Sequence, residues 1–336
     1  MARPKHIPGS VVKFPVKTRS GKQPLARYLA ARLGVVEGWA LDLIEAGAVI
    51  LDGEHVQSDT IINLSAGGHE ITISFPETWP NHMAATEMRL DVLYEDAHFV
   101  VLDKPPGIVV HPSRGHLDNH TLQNGLRYRY RHLLALKSTT VGPVHRLDKD
   151  TSGICLFSLT HAAYVDLAGQ FAGGKVKKEY LAVVDGVPPW DEFLCDRAIA
   201  PDTTRRGLVK ALPSGETAPG EKNARTALRV VACGEGAALV SVRPFTGRPH
   251  QIRAHLASLG YPIIGDRDYH PAGVEQSFPR QALHAAVLTV FHPDTEKPVH
   301  FDSPIPRDMA ELSRRRRIAL PPGMADDENR RRKTQS

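Results

Sequence analysis

Between Leu90 and Phe291 the chain runs as short β-rich segments punctuated by Gly and Pro, with few helical stretches between them. Strand candidates are Val92–Tyr94, Phe99–Leu102, Ile108–Val110, Ile154–Leu159, Lys178–Val184, Thr226–Val231, Ala238–Arg243 and Leu283–Phe291. Helical spacing marks Thr121–Leu134 and Pro249–Leu259. A parallel sheet needs a crossover, usually a helix, between successive strands. Regular crossovers are missing, which argues against a doubly wound Rossmann fold. The pattern predicts an α+β fold, a mixed and mostly antiparallel sheet with helices beside it.

A length of 336 residues suggests about two domains. With 41% hydrophobic and 24% charged residues, wholesale disorder is excluded. No apolar run approaches the ~20 residues of a membrane helix, and no signal-like stretch opens the chain, so a cytoplasmic protein with no membrane contact is expected. Cys155, Cys195 and Cys233 lie far apart, which argues against a disulfide framework and a cysteine zinc site.

The N-terminal part reads as a separate module. Residues 1–23 are Pro-, Gly- and Lys-rich and are expected to form a flexible basic arm. Leu25, Tyr28, Leu29 and Leu33 share one helical face, and Val36–Glu45 gives a second helix closed by Gly47. Asp52-Gly53 between Ala48–Leu51 and His55–Val56 signals a tight hairpin, and His69–Phe75 a further strand. The expected organisation is an arm (1–23), an α+β module (24–76), a linker (77–89), a catalytic domain (90–312) and a basic tail (313–336).

Charge is unevenly spread. The first 36 residues hold eight bases and no acid, and residues 314–333 hold eight bases against three acids. Since the whole chain is only +5, the body between them is net acidic. Basic ends on an acidic body suit a polyanionic partner such as nucleic acid, although solvated tails would look the same.

Three stretches could carry chemistry. In His145-Arg146-Leu147-Asp148-Lys149-Asp150, a carboxylate lies among cations, which keeps it ionised as a base or nucleophile. Thr246–Leu256 concentrates Arg248, His250, Gln251, Arg253 and His255; the two histidines, five apart, suit no shared metal, and no metal is expected. Tyr180, in Lys178–Ala182, could stack on a base. Taken singly, each also fits a charged loop, a solubilising helix or a half-buried core tyrosine.

Taken together and in order, LDKPPGIVVHP (102–112), HRLDKDTSG (145–153), KEYLA (178–182), GRPHQIRAHL (247–256), IIGDRDY (263–269) and LHAAVLTVFHP (283–293) resemble the RluA family of pseudouridine synthases. The resemblance covers about residues 90–306. Residues Leu25–Leu29, Leu43–Gly47 and Val49–Val56 resemble the S-four-type RNA-binding domain, which precedes the catalytic domain in many relatives. The resemblance implies an isomerase that breaks the glycosidic bond of a uridine and rejoins the uracil through carbon, without a cofactor. It implies Asp148 as the catalytic carboxylate, Arg253 as its partner, and Tyr180 as the residue stacked on the uracil. Ile252 would pack against the base, Arg146 would fill the gap left by a flipped nucleotide, and His145 and Arg248 would complete the RNA-facing set. The implied partner is RNA, large-subunit ribosomal RNA first and transfer RNA second, met by a monomer.

Two other readings compete. A non-catalytic RNA-binding or ribosome-assembly protein could use the same fold. An aspartate-dependent glycosidic hydrolase would need a second carboxylate as acid.

Overall fold

The computed structural model describes residues 9–17, 20–33, 37–56, 59–75, 85–111, 120–132, 139–205, 207–270 and 278–321. Most of the expected linker (77–84), the start of the arm (1–8) and the end of the tail (322–336) lie outside the described residues. The chain divides into two compact units, residues 1–88 with 111–131, and residues 89–110 with 132–336. Residues 111–131, inside the stretch read as the catalytic domain, thus group with the first unit.

The first unit contains β1 (Val11–Pro15), β2 (Lys22–Pro24), α1 (Leu25–Leu33), α2 (Glu37–Glu45), β3 (Val49–Leu51), β4 (Glu54–His55), β5 (Ile61–Asn63), β6 (Glu70–Ser74) and α3 (Leu122–Arg129). Its sheet has the order β1-β6-β3-β4, and β2 pairs separately with β5. Leu25, Leu29 and Leu33 are buried along α1, as four-residue spacing requires. The Asp52-Gly53 hairpin forms, with both residues at positive φ, 55° and 89°.

The expected flexible arm does not hold over residues 11–15, which pair with β6. Alternation explains it: Phe14 and Val16 are buried, Val12 is partly buried, and Lys13 points outward to Glu70 at 2.6 Å. The run of Pro and Lys hid a two-residue period.

The second unit contains β7 (Val92–Glu95), β8 (Phe99–Lys104), β9 (Thr139–Pro143), β10 (Ser152–Thr160), α4 (His161–Ala172), β11 (Lys177–Asp185), β12 (Glu192–Cys195), β13 (Ile199–Pro201), β14 (Val209–Ala211), β15 (Thr226–Gly234), β16 (Ala237–Pro244), α5 (Gln251–Ser258), β17 (Leu283–Phe291), β18 (Pro298–Asp302) and α6 (Arg307–Arg315). Its large sheet has the order β12-β15-β16-β11-β17-β10-β8-β7, with β18 beside β17 and β9 beside β10. Among the described residues every strand pair in it is antiparallel except β10 with β17. The expected mixed, mostly antiparallel α+β fold is therefore observed. The expected strand at Ile108–Val110 is not: Pro105-Pro106-Gly107 turns the chain, and Val109 and Val110 are buried in a loop.

The main core joins sheet residues Leu181, Val183 and Leu239 to Ile252 and Leu256 of α5 and to Met309 of α6. Burial of such side chains stabilises by ~1.5–3 kcal/mol each and fixes α5 relative to the sheet. β10 is buried from Ser152 to Leu159. It starts at the parallel contact with β17, where Gly153 has φ +105°, and a Cβ there would lie 2.2 Å from Ala285 O. Gly153→Ala should therefore cost about 2–4 kcal/mol, from backbone strain and forced separation of the two strands. An unchanged urea midpoint would refute this account of the contact.

Candidate active site

Asp148 lies on the loop between β9 and β10, and buried groups of the second unit anchor that loop by its backbone. Lys104 is 1% exposed and donates from Nζ to Lys149 O at 2.7 Å, and to Pro105 O and Ile108 O, each at 2.8 Å. Burial lowers its pKa to about 8. Gly107 N also donates to Lys149 O. Arg280 holds Asp150 O through Nη1 and pairs with Asp308 through Nε and Nη2. Ser152 Oγ meets His284 Nδ1 at 3.0 Å, and Leu147 is buried. A loop tied at this many points presents its side chain without reorganisation, which is what charge-stabilising catalysis needs.

The Asp148 side chain remains 26% exposed. Arg253 Nη1 reaches Asp148 Oδ2 at 3.3 Å, so the expected pair is brought together. It is not the strongest contact of the guanidinium. Arg253 Nε and Nη2 each donate to Asp266 at 2.7 Å, and Nη2 also donates to Asp268 Oδ2 at 2.6 Å. Burial by itself would lower the pKa of Arg253, but the three carboxylates outweigh it and raise it. Asp266 is fully buried, and its Oδ1 also accepts from the backbone N–H groups of Asp268 and Tyr269. The forked pair with Asp266 fixes the guanidinium plane, leaving the longer Nη1 bond for Asp148.

Other expected residues take different positions. Tyr180 is half-buried on β11; burial, followed by the negative charge of Asp148, raises its pKa, so it keeps its proton near neutrality. Ile252 belongs to the core cluster and is 8% exposed. Arg146 is exposed. Arg248 is exposed and donates from Nε to Asn223 O. His145 is half-buried, stacks on Phe171 at 4.9 Å, and its Nε2 accepts from Leu156 N–H. Burial, then Lys178, lowers its pKa to about 3, so it is a neutral brace between the loop and β10.

Three residues were noted in the sequence, but their contacts were not anticipated from it. Gln251 bonds Thr246, Arg225 and Thr226, clamping the turn that leads into α5. His250 brings Nε2 to 3.9 Å from Asp148 Oδ1. Asp266 stood inside the IIGDRDY motif, but its partner lies 13 residues earlier, and the chain reversal that ends in the Ile263–Asp266 turn brings the two together. Among the described residues, no group of His, Cys, Asp and Glu could hold a metal ion, and no helix is long and apolar enough to cross a membrane.

Residues 98–258 match the family model described as RNA pseudouridylate synthase. The chain is 37% identical over 278 residues to an RNA pseudouridine synthase of Bacillus subtilis, covering 82% of this chain and 87% of that protein. It is also 37% identical over 250 residues to the ribosomal large subunit pseudouridine synthase D of Zymomonas mobilis, covering 72% of this chain and 77% of that one. The solved structure of human RNA pseudouridylate synthase domain containing 1 superimposes with a TM-score of 0.54 at 26% identity, over 69% of this chain and 96% of that one. The tethered aspartate loop, the guanidinium beside it and these relatives converge: the chain belongs to the RNA pseudouridylate synthase family, enzymes that isomerise uridine in RNA to pseudouridine.

Proposed function

We propose that Asp148 is the catalytic carboxylate of this isomerase, Arg253 its orienting cation and Tyr180 the ring that stacks on the uracil. The observation that carries this reading is the partly exposed Asp148 carboxylate, held by a buried guanidinium on a loop tethered from beneath. The reaction exchanges an N1–C1′ bond for a C5–C1′ bond, releases the C5 proton and protonates N1. Tyr180, keeping its proton, serves by stacking and as a donor, not as the base. A target base in structured RNA must leave its stack at a cost of a few kcal/mol, and exposed Arg146 suits the vacated gap. Ile252 offers its exposed edge to the base, Arg248 faces RNA, and His145 acts through the loop.

The substrate we propose is large-subunit ribosomal RNA, as the name of the Zymomonas relative suggests, with transfer RNA second. The α1–α2–β3–β4 order of residues 24–76 supports an S-four-type RNA-binding module, and residues 90–312 supply the catalytic domain apart from 111–131. We place the enzyme in the cytoplasm as a monomer. Pseudouridine should be mapped across total RNA from cells with and without the protein. Sites that vanish without it, and return with wild type but not with Asp148→Asn, should lie in large-subunit ribosomal RNA. Loss confined to transfer RNA would overturn the substrate; no lost site at all would favour the non-catalytic reading.

A further inference from the structure

His250 is the residue before α5, and it adopts the left-handed conformation, φ 50° and ψ 17°, without making a capping bond. A non-glycine residue there is strained and persists only where its surroundings hold it. Here the hold is Tyr269. Its hydroxyl has one proton and donates it to Val209 O at 3.0 Å; Pro201, opposite Val209 in the β13–β14 pair, has no N–H to offer that carbonyl. The hydroxyl oxygen accepts from Val209 N–H at 3.2 Å and meets His250 Nδ1 at 3.2 Å. Burial pushes the Tyr269 pKa up to about 12, so this hydroxyl stays protonated.

If the phenolic proton goes to Val209 O, the imidazole proton sits on Nδ1 and Nε2 is a lone pair. Burial favours the neutral ring; Asp148, Asp268 and Asp266 oppose it, and Arg253 supports it, with a net lowering of the pKa. Nε2 and Asp148 Oδ1 are then two acceptors 3.9 Å apart. Acceptors do not bond one another, and this spacing suits one shared donor between them.

We propose that His250 Nε2 and Asp148 Oδ1 together receive the 2′-hydroxyl of the target ribose, so that His250 is a specificity residue distinguishing ribose from deoxyribose. This rests on Asp148 acting at the sugar. A 2′-hydroxyl is the group that separates RNA from DNA at a single nucleotide. It is a hydrogen-bond donor, and it adjoins the C1′ at which the glycosidic bond changes.

The test uses product oligonucleotides spanning the mapped site, with pseudouridine or 2′-deoxypseudouridine at that one position, so that no turnover intervenes. Wild type should bind the deoxy form about five- to tenfold more weakly, the value of one hydrogen bond. His250→Phe should show a smaller penalty, about two- to threefold, because the Nε2 lone pair is gone while Asp148 Oδ1 can still accept. The same penalty in both proteins, or none in wild type, overturns the inference while leaving the isomerase intact. A wild-type enzyme that forms no pseudouridine in any RNA overturns both. Nitrogen-15 NMR of histidine in the full chain near neutral pH needs no variant to fold: a proton on His250 Nδ1 supports the proposal, and one on Nε2 overturns it.

Discussion

Asp148→Asn should abolish isomerisation, with a loss on the order of 10⁴-fold or more, while RNA affinity changes by less than about threefold. The substitution is nearly isosteric, and the loop does not depend on the side chain it alters. Lys104 and Gly107 hold Lys149 O, and Arg280 holds Asp150 O. An asparagine oxygen can still accept from Arg253 Nη1, so the pocket shape survives and only the charge is lost. Protein–nucleic acid affinity generally comes largely from phosphate contacts, which this change leaves alone. The check is tritium release from RNA carrying tritium at C5 of uridine, beside equilibrium binding. Residual turnover within tenfold of wild type would remove Asp148 from the chemistry. A parallel fall in affinity would mean that the loop had moved instead.

Much of this site could be anticipated from local patterns, and the missed parts share a cause. Asp148, Tyr180 and Arg253 stand in short motifs that are ambiguous singly and gain roles only from the ordered set that resembles the family, whereas irregular helical crossovers already pointed to the antiparallel sheet. Asp266 and His250 depend on chain reversals. Asp266 becomes the main partner of Arg253 because the chain reverses after α5 and ends in the Ile263–Asp266 turn. His250 approaches Asp148 only because it leaves the helical backbone, φ 50°, just before α5. Helical spacing therefore set His250 against His255, whereas His255 is buried and bonded to Thr226 and the Arg197 carbonyl. β1 was hidden for a different reason: its alternation spans only five residues that include Lys13 and Pro15, where composition outweighed period.

The Arg253 geometry leads to a prediction that separates two roles for the cation. If Arg253 serves only as a counter-ion to Asp148, removing Asp266 should free the guanidinium to bond Asp148 more closely, and activity should persist. If the guanidinium must be held in one plane, activity should fall. The contact lengths favour the second role: two bonds of 2.7 Å go to Asp266, and one of 3.3 Å goes to Asp148. Asp266→Ala should therefore cost roughly 3–5 kcal/mol of stability, as breaking a buried pair does, and should also strand the N–H groups of Asp268 and Tyr269. Asp266→Asn is the sharper probe, because its amide oxygen can still accept from those N–H groups while its NH₂ opposes an Arg253 donor. At a temperature where Asp266→Asn remains folded, kcat should fall by about 10²-fold with KM nearly unchanged, since misorientation of a catalytic group acts on the transition state. Retained kcat with only a lowered melting temperature would reduce Asp266 to a structural residue. It would also return Arg253 to the simpler role of neutralising Asp148.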